Sequence, residues 1–205
     1  MKCLTKSAED KIKEAAIKVF LEKGFDGTTT RDIAKEAGVN SALMNYYFRS
    51  KEKLFSSVFE EMLQLFFDGI IEIFNKPIPL KEKISDIIDH DFQMYKSNPD
   101  LSNFIIHELH RNPDRFFSAV SFDKILCHSI FAQQLNESIK AEVIRKIDIQ
   151  HILLLMKSNV QFIFQGKVMT CKLWNMNDAE FDVFAEKHKV IIKEMIIQYL
   201  FSSEK

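Results

Sequence analysis

The sequence predicts an all-α fold: a three-helix helix-turn-helix head over residues 1–50 and a larger helical body over residues 51–205, about nine helices in all. Three observations predict it. Only five Gly and four Pro occur in 205 residues, and no Pro follows Pro113, which favours long helices over strands and tight turns. Apolar residues recur at i, i+3, i+4 and i+7 through most of the chain, the period of an amphipathic helix. Hydrophobic residues make up 46%, with 19 Phe, enough to fill a sizeable core.

Ser7 and Asp10 have the spacing of a capping box, and Ile12, Ala15, Ala16, Val19 and Phe20 form one apolar stripe behind them. Gly24 stops this helix. Thr29 and Asp32 repeat the cap signature, and Ile33, Ala34 and Ala37 follow on one narrow face. Gly38 ends the second helix, because glycine takes the left-handed C-cap conformation without a steric penalty. Asn40 or Ser41 caps the third helix. Met44 and Phe48 then face inward, and Ser41, Asn45 and Tyr46 face outward, with Ala42 and Leu43 beside them. The expected head core is Ile12, Ala16, Val19, Phe20, Ile33, Ala34, Val39, Met44 and Phe48. Two short helices joined by a tight turn suit the DNA major groove, where small, amide and phenolic side chains can meet base edges and phosphates.

In the body, Ser50 caps a long helix from Lys51 whose apolar band runs from Leu54 to Phe74, ended by Asn75 to Pro79. A helix follows from Leu80 to Lys96. Another starts at Pro99 or Asp100 and reaches His110, where Arg111 to Asp114 breaks it. Phe116 leads, through Phe122 and Ile125, into a helix ending near Lys140. Val143 to Ile147 reads as a connector, Asp148 to Phe164 as an apolar helix ended by Gly166, Lys167 to Asp178 as a loop, and Asp178 to Phe201 as the last helix.

Three stretches carry a family resemblance: Thr28-Thr29-Thr30-Arg31-Asp32-Ile33-Ala34, Ala37-Gly38-Val39, and Asn45-Tyr46-Tyr47-Phe48-Arg49-Ser50-Lys51-Glu52-Lys53-Leu54-Phe55. Over residues 7 to 59 the chain resembles the DNA-binding head of TetR/AcrR-family transcriptional regulators; beyond residue 60 the resemblance is one of layout. It implies a regulator binding double-stranded operator DNA, with no catalytic residues and no cofactor. By motif position, Thr29, Thr30 and Arg31 are placed against phosphates, where free N–H groups at a helix start also attract anions. Ser41, Leu43, Asn45 and Tyr46 are placed on base edges or neighbouring phosphates, with Tyr47 and Lys51 on the DNA backbone. Two positions depart from the family: many members have Gly at Ala42 and Tyr at Asn45. Asn pairs in two-pronged fashion with adenine, which would make Asn45 a base reader. Arg31 has an alternative in an ion pair with Asp32 or Glu36, and Tyr46 in packing between the helices.

The resemblance also implies a homodimer through the last two long helices, a pseudo-palindromic operator with half-sites roughly 34–36 Å or more apart, and a body pocket where a small ligand weakens DNA binding. The near-continuous apolar surface from Ile149 to Phe164 suits a dimer; a central core helix of a monomer is the alternative. Phe66, Phe67, Phe92, Phe104, Phe116, Phe117, Phe131 and Phe162 could line a cavity for a hydrophobic effector, or be plain core. A body serving only dimerisation or a protein partner is the alternative to a ligand pocket, and a helical enzyme the third reading.

Charge and cysteine usage bound the remainder. Residues 1 to 51 hold ten Lys/Arg against seven Asp/Glu, while the whole chain carries -1, so a mildly basic head sits on an acidic body. Cys3, Cys127 and Cys171 are scattered and odd in number, which suits a reducing compartment. No signal peptide or run of ~20 apolar residues is found, so a cytoplasmic protein without membrane association is expected. His107 and His110 stand at i, i+3, too few ligands for a metal site and one residue short of the H-E-x-x-H spacing. No metal is expected. Phosphate-cradling and nucleophile-elbow motifs are absent from the sequence.

Overall fold

The computed structural model describes residues 7–67, 69–119 and 126–202, apart from the side chains of Phe116 and Ala119. Cys3, Phe122, Ile125 and the Phe116 ring lie outside the described residues. Within them the helices are α1 (Ala8–Gly27), α2 (Thr30–Ala37), α3 (Ser41–Phe48), α4 (Lys51–Phe67), α5 (Ile70–Asn75) and α6 (Leu80–Ser97). Then come α7 (Pro99–Arg111), α8 (Pro113–Ala119), α9 (Ile130–Lys140), α10 (Ile149–Gln165), α11 (Lys167–Trp174) and α12 (Asp178–Phe201). The fold is all-α, and no strand occurs among the described residues. No described helix is long and apolar enough to cross a membrane.

The chain forms two compact units. One contains α1 to α4 as far as Phe66, together with α7 and α8 from Asp100. Its core takes Ile12, Ala16, Val19 and Phe20 from α1, Ile33 and Ala34 from α2, and Met44 and Phe48 from α3. Val39 is half-buried. Phe55 of α4 is the hub of the aromatic packing. Its ring meets Phe20 edge-on at 4.9 Å, Phe25 at 4.7 Å and Phe59 in a stack at 5.3 Å, and Phe104 of α7 closes the group at 6.1 Å. Such ring pairs add to the stabilisation from apolar burial and hold α1, α4 and α7 in one register. Arg115 of α8 lies over the Phe25 and Phe55 rings, and Arg111 forms an ion pair with Asp26. The three short helices of the head therefore rest on α4, α7 and α8, as their small size requires.

The second unit holds α5, α6 and α9 to α12. Ile84, Ile87, Ile88 and Phe92 of α6 are buried, as are Ile152, Met156 and Val160 of α10 and Phe181, Ala185, Ile192 and Ile196 of α12. Inside this packing Lys157 of α10 donates to the buried Asp91 of α6 at 2.6 Å. Burial pushes the Asp91 carboxyl up, but Lys157 and His90 outweigh it and hold the group below the ordinary value of 3.8. Lys189 and Lys193 of α12 pair with Asp89 at the edge of the same packing.

In the body the helix boundaries differ from expectation in three places. The long helix from Lys51 to Phe74 is two, α4 and α5, because Gly69 takes φ +79°. That conformation favours glycine, and a Cβ there would stand 2.9 Å from His90 Nε2, so a side chain would also have to push the His90 ring aside. The helix expected from Phe116 to Lys140 is interrupted at His128 and Ser129, where the Ser129 hydroxyl accepts from Ala132 N at 3.1 Å and starts α9 afresh. The loop expected from Lys167 to Asp178 contains α11. Gly166 has near-helical angles (φ -83°, ψ 2°), so it bends the chain without ending it, and Asn175 in the left-handed region closes the helix instead.

Candidate nucleic-acid interface

The presentation of α3 is set by local chemistry one step upstream. Gly24, with φ +70°, kinks α1 rather than ending it, so the helix runs on to Gly27, and the buried Thr28 hydroxyl donates to the Gly24 carbonyl at 2.7 Å. Thr29 then caps α2: its N–H donates to the Asp32 carboxylate at 2.9 Å, its hydroxyl donates at 2.6 Å, and the hydroxyl accepts from Asp32 N at 3.1 Å. These hydrogen bonds from Thr29, with one from Lys23, hold the Asp32 carboxyl down at about 2. Gly38 is in the left-handed conformation, and the next amide, Val39 N–H, reaches back to the Ala34 carbonyl at 3.0 Å. Asn40 then accepts from Leu43 N at 2.8 Å and starts α3.

Met44 and Phe48 are buried and fix the rotation of α3. With 100° per residue, Tyr46 points directly away from them, flanked by Ala42 and Asn45 on one side and Tyr47 on the other. Ser41, Ala42, Asn45, Tyr46 and Tyr47 are exposed, and Leu43 is half-buried. Tyr46 is 78% accessible and Tyr47 40%, and their rings meet edge-to-face at 5.4 Å and 83°, so each limits the other's motion. Thr29 and Arg31 are exposed, and Thr30 is half-buried in the first turn of α2. The ion pair considered for Arg31 does not form: Asp32 is taken by Lys23 and Glu36 by Lys18.

Lys51 faces inward. Its ammonium donates to the carbonyls of Phe25 and Thr28, both at 3.0 Å, and lies 4.3 Å from the centroid of the Phe25 ring. It ties the start of α4 to the link between α1 and α2. Sequence reasoning passed over Arg49, an exposed cation with φ +59° at the C-cap of α3. Its position directly after the aromatic run was the available signal.

The phenylalanines named for an effector cavity are spread through separate packing groups. Phe92 is buried against Phe164 at 5.0 Å, and Phe131 is buried in a stack with Phe74 at 5.3 Å. Phe104 is buried beside Phe55 and Phe59. Phe66 and Phe67 are half-buried at the end of α4. Phe117 and Phe162 are on the surface at 57% and 63% accessibility, and α10 buries Ile152, Met156 and Val160 on its other face. His107 and His110 are exposed, and no cluster of three metal-ligating side chains occurs among the described residues.

Two short helices at the end of a three-helix head, the second exposing a polar and aromatic face, define a helix-turn-helix DNA-binding protein. Residues 12–58 match the family described as "Bacterial regulatory proteins, tetR family". The fatty acid metabolism regulator protein of Bacillus subtilis (strain 168) is 26% identical over 187 residues, covering 87% of this chain and 89% of that protein. The biofilm operon icaADBC HTH-type negative transcriptional regulator IcaR of Staphylococcus aureus (strain Newman) is 42% identical over 65 residues, 32% of this chain and 33% of that protein. Among solved structures, the transcriptional regulator FadR from Bacillus subtilis in complex with stearoyl-CoA superimposes with a TM-score of 0.63 at 20% identity, over 93% of this chain and 98% of that one. The head of this chain is thus similar to that of the TetR family, and the relatives it matches are transcriptional regulators.

Proposed function

We propose that this protein is a dimeric repressor released from its operator by a hydrophobic effector, and that the effector is a long-chain fatty acyl thioester. The observation that carries the regulator reading is the exposed face of α3, with Asn45, Tyr46 and Tyr47 held out by the burial of Met44 and Phe48. Residues 1–50 are the DNA-reading head; residues 51–205 carry the effector and dimer surfaces. Ser41, Leu43, Asn45 and Tyr46 meet base edges or adjoining phosphates, and Tyr47, Thr29, Thr30 and Arg31 meet the DNA backbone. Lys51 serves the head from within, and Arg49 joins the phosphate contacts.

Dimerisation uses α10 and α12. Leu154 and Phe162 on α10 and Val190, Ile191, Met195 and Tyr199 on α12 are exposed in the single chain, an apolar expanse suited to a second copy. Two-fold symmetry then asks for a pseudo-palindromic operator. The acyl thioester is supported by the near full-length likeness to a fatty acid metabolism regulator and by the stearoyl-CoA in the structural relative. An acyl chain would be held by apolar side chains of the Phe-rich body, and its preference for one arrangement of the dimer would shift the heads off the operator spacing.

The test is a mobility shift on the DNA flanking the protein's own gene, with Tyr46→Ala as control and stearoyl-CoA, stearate and free CoA as additions. Binding to a palindromic segment, lost in Tyr46→Ala and weakened about 5- to 150-fold by stearoyl-CoA alone, is the expected outcome. Binding unaffected by all three additions would overturn the effector and leave the regulator; no sequence-preferring binding by the folded protein would overturn the regulator.

A further inference from the structure

We infer that α3 reads an A·T pair in each half-site, Asn45 taking the adenine edge and the methyl of Ala42 packing on a neighbouring thymine methyl. The inference rests on the DNA-binding reading above and names what that surface recognises. Asn45 has no structural task in the described chain. It is exposed, its side-chain amide has no hydrogen-bond partner among the described residues, and the cap of α3 is already provided by Asn40. Asparagine is a poor helix former because its amide competes for backbone hydrogen bonds, yet here it occupies the middle of an eight-residue helix. Its backbone is fully helical, the carbonyl accepting from Arg49 N at 2.9 Å. The amide is therefore free to donate and accept outward at once, the pattern that matches N7 and N6 of adenine in the major groove.

The neighbours narrow the partner further. Ala42 lies one turn before Asn45 on the same outward flank, and its exposed methyl has the size to meet a thymine C5-methyl without blocking the amide's approach. Ser41, also exposed and one turn from Asn45, is equally small. Tyr46 is too bulky to share that opening: braced edge-on by Tyr47, it stands against the groove wall, where a phenol hydrogen-bonds a phosphate or sugar. No carboxylate, the acceptor suited to cytosine, occurs on α3.

The experiment is operator selection from random duplex DNA with the full-length wild-type protein and with Asn45→Ala, each checked for native helix content. Wild type is expected to enrich adenine at one position of each half-site, and Asn45→Ala to lose the preference there while keeping the others. In the selected operator, adenine to guanine at that position should weaken wild type roughly ten- to hundredfold. Replacing it by 7-deazaadenine should cost about three- to tenfold, with no effect on Asn45→Ala. Uracil in place of the neighbouring thymine should weaken wild type but not Ala42→Gly. Unchanged base preferences in Asn45→Ala, or indifference of wild type to 7-deazaadenine, would overturn the assignment while the regulator reading stands. Absence of any sequence preference in the folded wild type would overturn both.

Discussion

Replacing Lys51 with Met separates a structural cation from a phosphate contact. In the folded chain the ammonium makes two charge-assisted hydrogen bonds, to the Phe25 and Thr28 carbonyls at 3.0 Å, and a cation–π contact with the Phe25 ring at 4.3 Å. Each such hydrogen bond contributes about 1.5 kcal/mol net when well shielded, and a partly exposed cation–π contact about 0.5–1 kcal/mol. Because the side chain is half-buried, the sum is discounted to about 2–3 kcal/mol. For a chain of this length that lowers Tm by about 5–10 °C. Thermal unfolding followed by circular dichroism measures it. Operator binding is then titrated at several salt concentrations, well below the lowered Tm. A cation that touches no phosphate leaves the salt slope where it was, whereas loss of one phosphate contact flattens it by about one. An unchanged Tm with a slope reduced by one would refute the inward assignment and return Lys51 to the DNA backbone.

Three further outcomes are expected. Asp32 has a folded value of about 2 against an ordinary 3.8, so its contribution is present above about pH 4 and is lost as pH falls toward 2; in Thr29→Ala, acid unfolding monitored by circular dichroism should show a shallower loss across that window. Gly69→Ala forces a side chain into φ +79° and against His90, and should destabilise by about 1–2 kcal/mol in urea titration without altering DNA specificity. Lys157→Met strands the buried Asp91 carboxylate. Breaking a buried pair costs several kcal/mol, and with Lys157 a third exposed the expected loss is about 2 kcal/mol. That deficit should narrow as acid protonates Asp91, as denaturant midpoints measured across pH would register.

What could be read from the residues alone was whatever depends on neighbours within about one helical turn. The capping boxes at Ser7 with Asp10 and at Thr29 with Asp32, the left-handed Gly38 and the inward pair Met44 and Phe48 are each local matters of hydrogen bonding or helical period. They sufficed to define the head and the outward face of α3, so that Asn45 and Tyr46 were legible as surface side chains before any coordinates. Only the tertiary structure decided where long-range partners pull a side chain. Lys51 reads as one more basic residue beside a DNA-reading helix, but carbonyls 26 and 23 positions earlier in the chain claim its ammonium. Gly69 reads as an isolated glycine in a helical band, and the structure shows it in the left-handed region with the ring of His90, brought close by α6, where a side chain would go. The phenylalanines look like one stripe in sequence because each obeys the helical period, which fixes the face but not the neighbour; packing sends Phe92, Phe104 and Phe131 to different partners and leaves Phe117 and Phe162 outside. Helical period is a property of the backbone and so is written locally, whereas the company a side chain keeps depends on chain closure over many residues, which no local pattern specifies.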